Sequence, residues 1–126
     1  MVKKETIYGE VIAKANHYMA VPDGAGGKRI IKDDVIRAYE ASFALQCAIY
    51  RDKFINGPFK LVIDVYYSSN RFDLDNSIKT ILDCLQMVKA ISNDNLCMKI
   101  EATKHIDRYT PRVEFEIIEY QPQLFR

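Results

Sequence analysis

The segment Arg71-Phe72-Asp73-Leu74-Asp75-Asn76-Ser77-Ile78-Lys79-Thr80-Ile81-Leu82-Asp83 concentrates side chains that can do chemistry. Asp73 and Asp75 flank a single residue where a strand is expected to end and a helix to begin. Asp75, Lys79 and Asp83 then follow at four-residue steps, so on a helix they form one polar ridge. Mg²⁺ takes hard oxygen ligands, typically one or two carboxylates completed by waters and substrate phosphate oxygens. Two aspartates around a bend can direct their oxygens at a common centre, and a bound cation relieves their repulsion. Asp94, in the turn after the helix, is the candidate third ligand if that turn folds back beside the strand end. The Lys79 amine can hold a phosphate oxygen or stabilise developing negative charge.

The same residues also have a structural use. Asp at a helix N-terminus caps it, and Asp and Asn form turns. The Asp75–Lys79–Asp83 ridge can be a solvated face worth a few tenths of a kcal/mol per pair. One cap, however, accounts for only one of Asp73 and Asp75. On residue types alone, a cation site and a capped, solvated helix both stay open.

The elements that must position these side chains can be read from periodicity. Thr6 to Lys14 alternates as a strand. The stretch Pro22 to Arg29 reads as a flexible loop carrying Lys28 and Arg29. Asp33 or Asp34 caps a helix with Ile36, Tyr39, Phe43, Gln46, Cys47 and Tyr50 on one side, ending near Asn56-Gly57-Pro58. Phe59 to Tyr67 alternates most clearly. Asn76 to about Lys89 repeats apolar residues at helical spacing. Strands at Leu96 to Lys104 and Val113 to Tyr120 follow, paired as a hairpin about the turn at Arg108–Pro111. The order β-α-β-α-β-β predicts an α/β (α+β) two-layer domain over residues 1–126, with two helices on a small mixed four-stranded sheet.

Composition sets the limits. A chain of 126 residues builds one core, not two. The 48% hydrophobic and 28% charged fractions are those of an ordinary globular domain. No apolar run approaches the roughly 18–20 residues of a membrane span. The start Met1-Val-Lys-Lys-Glu5 is no secretory leader, so an intracellular, cytoplasmic location without membrane association is expected. Cys47, Cys84 and Cys97 form no C-x-x-C pair and read as buried reduced thiols; His17 and His105 lack ligand spacing. A net charge of +1 advertises no bulk hold on nucleic acid, which would need local patches or a bound cation. Gly24 to Arg29 is no phosphate loop, because Pro22 replaces its first glycine and Arg29 its hydroxyl residue. Most tyrosines fit core or interface positions, with Tyr18 beside the glycine loop left open for base stacking.

The string Asp73-Leu-Asp75-Asn76-x-x-Lys79-x-x-x-Asp83, with Leu85 beyond it and Asp94 in the following turn, resembles the core motif of the RusA family of Holliday junction resolvases. The Phe59–Tyr67 strand before it, Lys104 near a strand end and the opening Asn16-His17-Tyr18 also fit, so the resemblance covers most of the chain. It implies a homodimeric, Mg²⁺-dependent endonuclease (Mn²⁺ as substitute) of a phage or prophage-type recombination system. Such an enzyme nicks two opposed strands of a four-way DNA junction in a bacterial or phage-infected cell. By motif position, Asp73, Asp75 and Asp94 become the metal-binding catalytic carboxylates. Lys79 becomes the active-site lysine, with Asn76 and Asp83 in support. The implied chemistry is in-line attack of a metal-activated water on the scissile phosphate.

Two positions depart from the family pattern. Neutral Asn93 stands where the family often has the first of two acids, and Ser68-Ser69-Asn70-Arg71 is less basic than usual before the motif. DNA contacts are expected from Arg71, Asn76, Lys79 and Lys104. Lys28, Arg29, Lys32 and Arg37 offer a replacement patch, or simply a solvated face. Ile12, Val62 and Ile118, read as outward-facing strand residues, offer apolar surface for a second copy. A metal nuclease for other branched DNA and a non-catalytic DNA-binding module are the competing readings.

Overall fold

The computed structural model describes residues 3–14 and 18–121, with the side chains of residues 18, 19 and 32 outside that description. Asn16, His17 and the side chains of Tyr18 and Lys32, all singled out above, therefore lie outside the described residues. The order is β1 (Glu5–Tyr8), β2 (Tyr18–Pro22), β3 (Lys28–Lys32), α1 (Asp34–Gln46), β4 (Phe59–Tyr67), α2 (Leu74–Met87), β5 (Cys97–Ile106) and β6 (Arg112–Glu119). A 3-10 turn, Asp94–Leu96, precedes β5. The main sheet runs β1-β6-β4-β5, and β2-β3 form a separate two-stranded sheet. Two helices on a mixed four-stranded sheet give the expected α+β class.

β4 organises this sheet. Its alternation buries every second residue from Phe59 to Tyr67 and leaves the others half-exposed. A strand this one-sided needs a neighbour on each edge and a cover on one face. β6 runs antiparallel on one edge, with Phe115 opposite Ile63, and β5 runs parallel on the other, with Ala102 opposite Ile63. The last two strands are therefore not the expected hairpin, because β4 lies between them. Residues 107–111 arch over the end of β4, where Asp107 N–H donates to the Tyr67 carbonyl at 2.8 Å. The Asp107 carboxylate collects Arg112 (2.9 Å) and the N–H groups of Tyr109 and Thr110 (3.1 Å each). These bonds, Arg112 first, hold its pKa below the ordinary value. A short polar turn looks alike in sequence whether it joins neighbours or spans a strand.

The covered face packs on Tyr39 and Phe43 of α1 and on Ile78, Ile81 and Leu85 of α2. The other face is open and satisfies itself with polar contacts. Arg112 sits 3.8 Å over the Tyr66 ring, His105 stacks on that ring at 4.4 Å, and His105 pairs with Asp64 at 2.7 Å. Val62 and Ile118 are half-buried on this face among Lys60 and Glu116. Ile12 does not face outward with them; it packs against the core.

Four boundaries differ from the periodic reading. β1 stops at Tyr8 because Gly9 takes φ +111° and its N–H turns to the Pro111 carbonyl (2.9 Å). Val11 and Lys14 then descend into buried positions. Residues 22–29 are less loop than expected. Lys28 and Arg29 belong to β3, and the Asp23 carboxylate fastens the turn by accepting from Ala25 (2.8 Å) and Gly27 (3.0 Å). α1 is capped by Asp33, which accepts from Ile36 N–H at 3.0 Å, and ends at Gln46 rather than near Asn56. Arg51 Nε bonds the Cys47 carbonyl (3.0 Å), while its guanidinium also reaches the carbonyls of Ala44 and Leu45. Cys47 and Tyr50 continue the apolar spacing from a turn, not from a helix. α2 begins at Leu74, two residues before the expected Asn76.

Glu5 ties that turn to β1. Its buried carboxylate accepts from the N–H groups of Ile49 (2.7 Å) and Tyr50 (3.1 Å) and meets the Cys47 thiol. Burial, then the Glu5 charge, pushes the Cys47 thiol up to about 12, so it stays protonated and inert. Cys84 is buried likewise, whereas Cys97 is only half-buried, contrary to expectation. Glu5→Ala strands both backbone donors and should cost roughly 2–6 kcal/mol in urea unfolding, at about 1–3 kcal/mol per unmet group. Glu5→Gln, which keeps an acceptor oxygen, should cost less. Equal losses in the two variants would show that the acceptor is not what Glu5 supplies.

Candidate active site

The site starts where β4 hands over to α2. Tyr67, the last residue of β4, is fully buried. Its hydroxyl donates to the Asp73 carbonyl (3.2 Å) and also meets the Ser77 hydroxyl. Its ring lies parallel to Phe72 at 5.3 Å. From β5, the Lys104 ammonium donates to the carbonyls of Phe72 (2.6 Å) and Asn70 (3.2 Å). Glu10 accepts from Ser68 N–H at 2.9 Å. Residues 68–73 are thus held from three directions.

Asp73 occupies the N-cap position of α2 in extended backbone, φ −100° and ψ 126°, but its side chain makes no capping bond. Asp33 at the start of α1 does cap, so the difference is local and not a property of aspartate. Asp75 lies in the first turn, where the positive end of the helix dipole favours a carboxylate. Both side chains are exposed, and among the described residues neither has a hydrogen bond or salt bridge.

One turn on, Lys79 joins two further acids. Its ammonium lies 3.1 Å from Asp94 and 3.2 Å from Asp83. Hydrogen bonds to Asp94, then to Asp83, hold its pKa above that of an ordinary lysine. The turn bearing Asp94 does fold back onto α2. The Asp94 N–H donates to Gln86 Oε1 at 3.0 Å, while the neutral Asn93 accepts from Asn95 N–H at 2.9 Å. The structure therefore brings together Lys79, Asp83 and Asp94, with Asp73 and Asp75 as a separate pair. Among the described residues no group of three or more His, Cys, Asp or Glu side chains is gathered to hold a metal. Two unpartnered carboxylates do fit Mg²⁺, which binds through one or two and keeps several waters.

Arg71 is exposed with its guanidinium 4.7 Å over the Phe72 ring, and Asn76, Lys28 and Arg29 are exposed as well. The Lys104 amine, by contrast, is engaged on backbone carbonyls. Sequence reasoning missed Tyr67 and Ser77 as anchors, because a terminal strand tyrosine reads as core. It also missed Glu10 and Lys14, which belong to no motif.

Fold and site together define a small α+β domain with a free aspartate pair at the helix entered from its central strand, a donor set suited to phosphate-ester chemistry. A family model described as Endodeoxyribonuclease RusA matches residues 8–118. The chain belongs to this family of endodeoxyribonucleases. No curated protein matches it.

Lys104→Met removes two charge-assisted bonds to the segment before Asp73, each worth about 1.5–3 kcal/mol. Amide exchange at residues 70–73 should accelerate at least tenfold while that of β4 and β6 is unchanged. Unaltered exchange would mean that Tyr67 and Glu10 hold the segment without Lys104.

Proposed function

We propose that this protein is a Mg²⁺-dependent endodeoxyribonuclease that resolves four-way DNA junctions by paired nicks. It would act in the cytoplasm as part of a phage or prophage-type recombination system. Family membership supports the nuclease activity. The observation that carries the metal assignment is that Asp73 sits at a helix N-cap without capping, beside an equally unpartnered Asp75.

In this reading Asp73 and Asp75 hold the cation, and Asp94 joins them by exchanging its Lys79 contact for the metal. Bound there, Mg²⁺ (or Mn²⁺) would lower the pKa of a water and offset charge on the scissile phosphate. Lys79 presents its ammonium to a phosphate oxygen, where a positioned charge acts on the transition state. Asp83 orients Lys79. Asn76 and Arg71, exposed on either side of the aspartate pair, contact the DNA backbone, with Lys28 and Arg29 adding distant charge. Lys104 serves the DNA indirectly by fixing residues 70–72.

Paired cuts need two sites, and a two-fold dimer of this chain supplies them. The surface that supports association is the edge of β5, where Met98, Ile100 and Ile106 are 52%, 44% and 51% exposed beside unpaired backbone groups. Val62 and Ile118 offer only a small apolar pair among charges. Among the described residues no helix is long and apolar enough to cross a membrane.

Asp73→Asn and Asp75→Asn should each abolish nicking of a synthetic four-way junction in Mg²⁺. Neither carboxylate bonds to the protein, so stability should stay within about 0.5 kcal/mol. Nicking at the wild-type rate by either variant would remove the pair from the site. Cleavage of duplex or flap controls as fast as the junction would favour a broader nuclease, and no cleavage of any substrate would favour a binding module.

The dimer has its own check. Light scattering at micromolar concentration should give twice the chain mass, and Ile100→Glu should give a monomer that has lost paired cutting. A wild-type monomer that still cuts in pairs with the junction present would overturn the dimer.

A further inference from the structure

Lys14 lies far from the aspartate motif in sequence, yet it ends among the acids behind that motif. Its side chain is only 8% exposed, wedged between the two helices. The ammonium lies 2.9 Å from Glu40 Oε2 on α1 and 3.7 Å from Asp83 Oδ2 on α2. Its backbone is fastened as well. Lys14 N–H donates to Thr80 Oγ1 (3.3 Å), and Thr80 Oγ1 donates to the Ile12 carbonyl (2.7 Å). Thr80 adjoins Lys79, so residues 12–14 are clipped to the helical turn that carries the site's lysine.

Asp83 divides its two oxygens, Oδ2 toward Lys14 and Oδ1 toward Lys79. The charges therefore run Glu40, Lys14, Asp83, Lys79, Asp94 in alternating sign, from the interior to the surface. Without Lys14, Asp83 loses the contact that fixes its second oxygen, so its hold on Lys79 is no longer directed, while Glu40 loses a partner at a poorly solvated position. Burying a lysine is costly, and a salt bridge of this kind is weak evidence for stability as such. Supporting a surface group explains it better.

We propose that Lys14 is a positioning residue: its buried ammonium, shared between Glu40 and Asp83, fixes Asp83 so that the carboxylate holds the Lys79 ammonium toward substrate. The proposal rests on the reading of Lys79 as the phosphate-facing amine.

The test is single-turnover cleavage of a four-way junction in Mg²⁺ by the full chain, with Lys14→Met and Lys14→Arg each made with and without Lys79→Ala. Lys79→Ala alone should slow cleavage about 10²-fold. Lys14→Met should slow it about tenfold or more, because a catalytic group displaced by about 1 Å can cost up to 10²-fold. Junction affinity should hold within about twofold. Added to Lys79→Ala, Lys14→Met should cost nothing further, as expected when both act through one group. Lys14→Arg should recover most of the rate. The Lys79 ammonium ¹⁵N signal, kept sharp by its ion pairs, should broaden in Lys14→Met. If Lys14→Met does not fold, Lys14→Gln removes the charge while keeping a donor for Glu40, and should give the same slowing and broadening.

A Lys14→Met loss that persists whole in the Lys79→Ala background overturns the coupling and leaves Lys14 a stability residue. Full cleavage and a sharp signal in folded Lys14→Met also overturn it. Lys79→Ala cutting at the wild-type rate instead overturns the reading of Lys79, and with it any catalytic purpose for Lys14, even where the signal broadens.

Discussion

The bond from the Tyr67 hydroxyl to the Asp73 carbonyl is the point at which the sheet takes hold of α2. Tyr67 ends β4, the strand on which both β5 and β6 are aligned, and its ring is buried beneath Phe72. An amphipathic helix packed by its apolar stripe alone can slide or rotate by a fraction of a turn at little cost. A hydrogen bond to the carbonyl of the N-cap residue removes that freedom at the end where it matters. Asp73 and Asp75 inherit their place from a backbone tie, which leaves their own side chains unspent.

That division of labour recurs throughout the domain. Where a polar group does structural work, it is fully used, as with the buried Glu5 beneath the α1 turn or the partly exposed Asp107 in the arch over β4. Where it is exposed at the start of α2, it is left without a partner. Lys79 lies between these extremes, held by two carboxylates yet 66% exposed. Its contacts are screened by water, so they orient the amine without committing it, and a stronger charge can recruit either partner.

The sequence made some of this plain. β4 was legible to the residue because strict alternation over nine residues has one reading, and α2 because its apolar stripe is strong. The aspartates and Lys79 stood out by their spacing and family likeness, and their roles rest on the proposed function. The failures have physical causes. α1 was read too long because Cys47 and Tyr50 stay buried after the helix ends, and burial alone does not distinguish a turn from a helix. β2 and β3 were missed because a turn rich in glycine conceals the strands it joins. The pairing of β5 and β6 was misread because it depends on β4, a partner distant in sequence. Lys14 gave no signal, since its importance lies in Glu40 and Asp83, which are 26 and 69 positions away by the residue numbers.

Charge at the site argues for the cation from another side. Around the first three turns of α2 and the turn beside it stand Asp73, Asp75, Asp83 and Asp94, against Lys79 and the buried Lys14, which Glu40 also claims. A phosphodiester entering this field meets a local excess of negative charge, and a chain of net charge +1 has little to counter it from a distance. Arg71 is the nearest cation along the chain, but it stands before Phe72, outside the ridge. Under the proposed function, a divalent ion held by Asp73 and Asp75 would reverse the local sign where phosphate approaches and free Lys79 to turn from Asp94 to substrate, so that carboxylates that repel DNA would become the means of binding it. On the proposed reading, affinity for the junction should itself depend on the metal, and not cleavage alone.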